Sequence, residues 1–369
     1  MEEHVTVIGG GIIGLAAAYE CRRRGFSVTI IEAGEFGGQA SGAAAGMLAP
    51  FSEIEEDPDD FFRLAFESLT LYEPWVSAVQ QSSNTSFEYA NTGSLHVVYH
   101  EADQLALETR QKWQGDFGVD ARILDQSALQ KLEPELSSEI IGAMHYPEES
   151  HVYTPDYVKA LASACANEGV TMYAKAGEPR LTRTTEPYEI KLNNGTVIET
   201  EQIIVANGAW AKSWEETLGI RIPVHPIRGQ ICSYQPDTPL LSHIVFSPQG
   251  YFVPKANGTL VNGASEDLAG FSTEVTEKGI NRLKNWGPHV LPALEEEPPV
   301  HTWAGIRPAT QDGYPLIGEV PNLPGVQLAV GHYRNGILLS PVTAAVLADR
   351  IEAKSDRVPM TLFQPARFT

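Results

Sequence analysis

Three groups of residues in this 369-residue chain have the types and spacing to do chemistry. The first is Gly9-x-Gly11-x-x-Gly14, with Glu32 eighteen residues beyond the last glycine. In such a turn the first glycine permits the tight bend, the second lets backbone approach a pyrophosphate, and the third allows close helix packing. The helix that follows offers unpaired amides and a positive end to phosphates, and the acid accepts from ribose hydroxyls. The second is Arg307, set in an apolar and aromatic stretch between Trp303 and Pro308. A guanidinium there is either the partner of a buried carboxylate or a planar fork for the carboxylate of a ligand. The third is Arg334-Asn335-Gly336-Ile337-Leu338, a turn that opens directly into an apolar helix. Its first amides have no partner within the helix and can face negative charge on a bound group.

The elements that must position these residues can be read from the pattern of the chain. Residues 4–8 form a β-branched run that stops at the glycines, 12–24 turn helical, Gly25 caps that helix, and 27–31 read as a second strand ending at Glu32. This is a β-α-β unit of about thirty residues, the usual size. Helices are expected over 59–80, 101–117, 155–165, 276–294 and 337–353. Strands are expected over 93–100, 170–174, 188–192, 202–206 and 326–330. A strand-rich stretch runs from 226 to 264, with turns at Ser247-Pro248-Gln249-Gly250 and at Asn257-Gly258. Neither an internal repeat nor a linker marks a clean boundary, which suits a domain assembled from separated segments.

Composition narrows the function. The net charge of −21 argues against nucleic-acid binding, which needs a lysine and arginine footprint. The same charge gives an anionic substrate no help, so a carboxylate must be held by a few specific arginines. Cys21, Cys165 and Cys232 have no metal-type spacing and read as buried thiols in a reducing compartment. The start Met-Glu-Glu-His has no signal-peptide character, and no apolar run reaches about 18 residues, so a soluble, cytoplasmic protein without membrane partners is expected.

Residues 39–50 read Gln-Ala-Ser-Gly-Ala-Ala-Ala-Gly-Met-Leu-Ala-Pro. A run of small residues without helical amphipathicity is either a flexible loop or main chain laid against a flat ring system. Together with Gly9 to Gly14 and Glu32, Ser41-Gly42-Ala43-Ala44-Ala45-Gly46-Met47 resembles the FAD-binding start of the D-amino-acid oxidase and sarcosine oxidase superfamily. Further matches are Asn207-Gly208-Ala209-Trp210, Pro226-Ile227-Arg228-Gly229-Gln230, Trp303-Ala304-Gly305-Ile306-Arg307-Pro308 with Asp312-Gly313, and Gly331-His332-Tyr333-Arg334-Asn335-Gly336-Ile337-Leu338-Leu339. In that order they are most similar to the bacterial glycine oxidases of the thiamine pathway.

The resemblance implies a mixed α/β fold. A Rossmann-like FAD-binding domain would comprise 1–85, 148–223 and 299–369. A substrate domain with a large antiparallel sheet would use 86–147 and 224–298. It implies oxidative deamination of glycine, sarcosine or a small D-amino acid by hydride transfer from Cα to the flavin. The imine then hydrolyses to glyoxylate or another oxo acid, with hydrogen peroxide formed from molecular oxygen. A D-amino-acid or sarcosine oxidase or dehydrogenase is the alternative. Gly9, Gly11, Ile12, Ile13, Gly14, Glu32, Ser41, Ala44, Ala45, Gly46, Met47, Gly208, Trp210 and Arg334 to Leu338 would hold FAD. Arg307 and Tyr251 would take the substrate carboxylate, with Arg334 orienting the substrate. Without the resemblance, Tyr251 reads as a half-buried strand residue. His332 and His225 read as structural, because no strong base is needed for hydride transfer. No cysteine lies near Arg307, so FAD is expected to be non-covalent, and a homo-oligomer, a tetramer by resemblance, is implied. Glu266, just after Gly263-Ala264, stands where an apolar residue is expected, and it reads as a solvated acid or as a group facing the amine.

Overall fold

The structure, a computed structural model, describes residues 3–54 and 58–368; Met1 and Glu2 of the N-terminal reading lie outside them. At its centre is β1 (His4–Ile8), in which Val5 and Val7 are fully buried. It pairs in parallel with β2 (Ser27–Ile31) on one side and with the strand Gln202–Val205 on the other. The six-stranded sheet runs in the order Leu316–Glu319, Val326–Val330, Gln202–Val205, β1, β2, Thr171–Tyr173. Only its first pairing is antiparallel. Helices pack on one face of this sheet and the three-stranded antiparallel sheet Arg180–Arg183, Tyr188–Lys191, Val197–Thr200 on the other, so its strands are buried on both faces and read as unbroken Val/Ile runs and not as alternation.

The helix α1 (Ile12–Arg23) is buried along Ile12 to Tyr19, and its small residues let it lie close to the sheet. The long helices Asp60–Ser83 and Thr154–Asn167 and the almost wholly buried helix Gly336–Ile351 share its apolar core. The N- and C-terminal parts of the chain are therefore packed into one body.

A second sheet has eight strands, in the order His301–Thr310, Val224–Tyr234, Leu260–Gly263, Gly250–Pro254, Ile244–Ser247, Ser94–Val98, Gly142–Tyr146, Arg122–Asp125. All its pairings are antiparallel except Ile244–Ser247 with Ser94–Val98. The helix Glu277–Val290 packs on it through Ile280, Leu283 and Trp286. The sequence reading extended this helix to residue 294, but it stops at Val290, and Pro292 opens a separate short turn.

Several strands escaped the sequence reading: Arg122–Asp125, Gly142–Tyr146, Ser150–Val152, Arg180–Arg183, Val197–Thr200, Leu316–Glu319 and, most consequentially, His301–Thr310. His301–Thr310 contains Gly305 and Pro308 and shows no alternation, yet it pairs with Val224–Ser233 residue for residue. It lies in the sequence segment 299–369 but belongs to the eight-stranded sheet. The run 39–50 is also less irregular than expected. It forms a short helix, Ala40–Ala43, and a two-residue strand, Met47–Leu48, paired with Ser150–Val152. All three cysteines are buried free thiols. Among the described residues, no helix is long and apolar enough to cross a membrane.

Candidate active site

A cavity of about 390 Å³ begins at the C-terminal ends of β1 and β2 and extends to the face of the eight-stranded sheet. At its first end Gly14 lets α1 seat against the turn, since a Cβ there would lie 1.8 Å from the Gly9 carbonyl oxygen. The first amides of α1 have no intrahelical acceptor, and Ser41 Oγ takes that of Ile12 at 2.9 Å. The Glu32 carboxylate accepts from the amides of Gly10 (2.6 Å) and Gly34 (2.7 Å), one on each oxygen. Each oxygen keeps a lone pair toward the cavity, where a ribose hydroxyl would donate.

The middle wall is the small-residue segment. Ala43 to Met47 line the cavity, and Gly46, at φ +86°, turns the chain so tightly that a Cβ would meet the Val152 carbonyl. Asn207, Gly208 and Trp210 also line the cavity, and among the described residues the buried Asn207 Oδ1 has no hydrogen-bond partner. The helix Gly336–Ile351 points its N-terminus at the same space, with Asn335 as its N-cap. A helix N-terminus without a side-chain cap bond, a buried oxygen unpartnered among the described residues, a small-residue wall and a doubly held acid make a donor and acceptor set that fits FAD.

At the far end Tyr251 and Arg307 project from strands of the second sheet that have two others between them, and their side chains reach toward each other across these. Gly229 faces Gly305 across the ladder, and its missing side chain is what makes room for the fork. A Cβ at Gly229 would stand 2.5 Å from Arg307 Cζ. Arg307 donates to the Ser265 carbonyl at 2.9 Å, and among the described residues no carboxylate forms an ion pair with it. Tyr251 is buried; burial raises its hydroxyl above the ordinary range, and the charges of Arg307 and Arg334 oppose that shift. Arg334, by contrast, is flanked by acids. Its guanidinium lies 3.8 Å from Glu53 and 3.5 Å from Glu266, and Glu53 raises its pKa further. Tyr333 donates to Glu266 at 2.7 Å, and burial followed by that bond pushes its hydroxyl up to about 12.

Of the residues singled out from the sequence, Gly9, Gly11, Ile12, Ile13, Glu32, Ser41, Ala44, Ala45, Gly46, Met47, Gly208, Trp210, Tyr251, Arg307, Arg334, Gly336 and Ile337 line this cavity. Gly14, Asn335 and Leu338 stand behind it: the first packs against the turn, the second caps, and the third is buried in the core. His332 is buried against Thr343 Oγ1 at 3.1 Å, and burial lowers it to about 3, so it is neutral. His225 lies on a surface groove beside Lys212 and Arg221, outside the cavity.

One acidic cavity residue was missed. Glu53 lines the cavity with a side chain only 10% exposed, and burial raises its pKa against the pull of Arg334 and Arg307. In the sequence it opens an acidic run, Glu53 to Asp60, that reads as a solvated face. Its position is set by Glu149, whose buried carboxylate accepts from the amides of Phe51 and Ser52 and from the hydroxyls of Ser52 and Ser94. The one available signal for Glu53 was its place directly after the small-residue segment.

Comparison with known proteins matches residues 4–350 to the family described as DAO, FAD dependent oxidoreductase. A glycine oxidase of Geobacillus kaustophilus is 33% identical, over 98% of this chain and 96% of that protein. Its crystal structure superposes with a TM-score of 0.93 over the whole of both chains. The bifunctional protein ThiO/ThiG of a Nostoc species is 33% identical over 96% of this chain, which spans 54% of that longer protein. Iminodiacetate oxidase from a Chelativorans species is 26% identical, with a TM-score of 0.87 over 98% of both chains.

Proposed function

The chain belongs to the FAD dependent oxidoreductase family, and on that premise we propose that this amino-acid oxidase acts on glycine. Glycine, oxygen and water would give glyoxylate, ammonia and hydrogen peroxide, and sarcosine and small D-amino acids would be slower substrates. The observation that carries the substrate class is Arg307, a guanidinium at the cavity wall that forms an ion pair with no carboxylate among the described residues, with the Tyr251 hydroxyl beside it. A carboxylate is the ligand that satisfies both.

FAD is the cofactor, and when bound it supplies the acceptor for the two electrons of the Cα–H bond. Non-covalent binding is the reading here, because the three cysteines are buried and none lines the cavity. The amides at the start of α1 would hold the pyrophosphate and Glu32 the adenosine ribose. Ala43 to Met47 would flank the ring, and the N-terminus of Gly336–Ile351 would stabilise negative charge on it. Arg307 and Tyr251 orient the substrate by its carboxylate, and the fixed orientation is itself a large share of the catalysis. Glu53, held by Glu149 and matched to Arg334, gives the amine end a polar wall. The imine leaves the pocket and is hydrolysed.

The bipartite organisation supports a division into an FAD-binding domain (1–85, 148–223 and 299–369) and a substrate domain (86–147 and 224–298). The strand His301–Thr310 crosses from the first to the second. We further propose a cytoplasmic homo-oligomer and a supply of the imine of glycine for thiamine thiazole synthesis; the second agrees with the ThiO/ThiG name of a relative. The test is a peroxide assay of the FAD-loaded protein on glycine, sarcosine and D-alanine. Glycine is expected to have the highest kcat/KM, and peroxide from none of the three overturns the proposal.

A further inference from the structure

Behind the wall of the FAD site lies a buried lysine that the chemistry above does not use. Lys255 is 7% exposed and directly follows the strand Gly250–Pro254. Its ammonium donates to the Ala45 carbonyl at 2.8 Å and to the Val152 carbonyl at 2.9 Å, and it lies 3.2 Å from His151 Nδ1. Three donors meet three acceptors, because burial and the nearby lysine hold His151 neutral, at about 2. Two of those acceptors belong to the segment that frames the cavity. Ala45 is in the cavity wall, and Val152 is the residue whose amide donates to the Gly46 carbonyl at 2.9 Å.

Strand geometry gives this contact its meaning. Side chains alternate, so Tyr251, Val253 and Lys255 emerge on one face. Tyr251 and Val253 pack with Ala45, Ala49 and Met47 in a single apolar cluster. The strand that carries the carboxylate contact is thus fastened at its end to the cofactor wall by an ion in an otherwise apolar seam. Hydrogen bonds from an ammonium are stronger than neutral ones, and they fix direction where packing alone would allow sliding.

We propose that Lys255 is a positioning residue that locks the Ala45–Gly46 wall of the FAD site to the strand bearing Tyr251. The assignment rests on the FAD reading of the cavity. The groups facing the ammonium are His151 and Glu88, whose carboxylate lies 3.6 Å from His151 Nδ1 and accepts from the Ala256 amide. Burial lowers the ammonium to about 7, opposed by Glu88, so the lock is closed in mildly acidic solution and loses its charge in mildly basic solution. Glu149, three residues before Val152, is raised to about 7 by burial and titrates over the same range, so a lysine-free control is required.

The experiment is titration of apoprotein with FAD, followed by flavin fluorescence, for wild type and Lys255→Met at pH 6.5 and 8.5. At pH 6.5 the variant is expected to bind FAD at least about tenfold more weakly, with a raised KM for glycine. By pH 8.5 that gap should narrow several-fold, because only wild type loses the lysine's charge, whereas any effect of Glu149 is common to both proteins. Equal dissociation constants at pH 6.5, or a gap unchanged at pH 8.5, overturn the proposal. If the variant does not fold, the wild-type series decides: an FAD dissociation constant that is flat across the two pH values overturns it. Wild type that binds no FAD at either pH would instead refute the cofactor reading itself.

Discussion

Substituting Gly229 with alanine perturbs the carboxylate fork without touching its charge. The added Cβ would stand 2.5 Å from Arg307 Cζ and 2.6 Å from both terminal nitrogens, where carbon needs roughly 3.5–4.0 Å. The guanidinium must therefore retreat by about 1 Å. It can do so cheaply, because it is the end of a flexible side chain held by the Ser265 carbonyl and the Tyr251 hydroxyl. Stability should fall by no more than about 1–2 kcal/mol, the loss of one hydrogen bond to a charged group plus local crowding. Catalysis should suffer far more, since a displacement of about 1 Å costs on the order of a hundredfold. The assay is steady-state peroxide release from glycine with FAD occupancy verified by absorbance, beside a thermal melt of the same sample. We expect kcat/KM to fall roughly a hundredfold while the melting temperature moves by a few degrees. Arg307→Ala should fall at least as far, and lysine at 307 should not restore activity, because it lacks the planar fork. Wild-type KM in Gly229→Ala would refute the reasoning, for it would mean that the substrate does not use the position Arg307 now holds.

Other outcomes follow from the same geometry. Glu32→Ala should weaken FAD binding about tenfold or more, measured by apoprotein titration, while turnover per bound flavin stays near wild type; a collapse of turnover at full occupancy would place Glu32 elsewhere. Glu266→Gln frees Arg334 from one of its two acids, so the KM for an amine with a second carboxylate, iminodiacetate, should fall. The pair is half exposed, so the gain is at most about 1 kcal/mol, or roughly fivefold, and an unchanged ratio of iminodiacetate to glycine KM would make Glu266 a bystander. Lys255 also predicts a pH trend in stability. Its ammonium is lowered from 10.5 to about 7 on folding, so between those values the unfolded chain binds more protons and stability rises with pH. The penalty is full below pH 7 and is relieved toward pH 10.5; the difference in melting temperature between wild type and Lys255→Met should therefore shift toward wild type over that range, and parallel curves would contradict the shift.

Much of this was legible in the sequence wherever local and global signals agreed. The strands His4–Ile8, Ser27–Ile31 and Val326–Val330 have the expected limits, because buried parallel strands are continuous β-branched runs with glycine at their ends. The helix opening at Gly336 was visible for a similar reason, a turn dipeptide followed directly by apolar residues. His301–Thr310 was invisible because its pairing with Val224–Ser233 overrides the glycine and proline that argue against a strand. Glu53 and Lys255 were missed because charged side chains are read as exposed by default, and only tertiary packing reveals the exceptions. That, among the described residues, Arg307 forms no ion pair while Arg334 lies beside two acids is likewise a fact of three dimensions, and no spacing encodes it.

The way the central sheet is strung has a consequence for biosynthesis. β1 leaves the ribosome well before its neighbour Gln202–Val205, which arrives nearly two hundred residues later, and that strand's other neighbour, Val326–Val330, comes later still. The helix whose N-terminus closes the cofactor cavity, Gly336–Ile351, is made after all of them. A nascent chain thus displays the glycine turn and Glu32 long before it owns a place to put a flavin. Parallel pairing across such separations is slow, and the apolar face of α1 waits uncovered until the last helix docks on it. Cofactor capture should therefore be an event of the finished chain, and nascent chains arrested short of residue 336 should be colourless, aggregation-prone clients of chaperones.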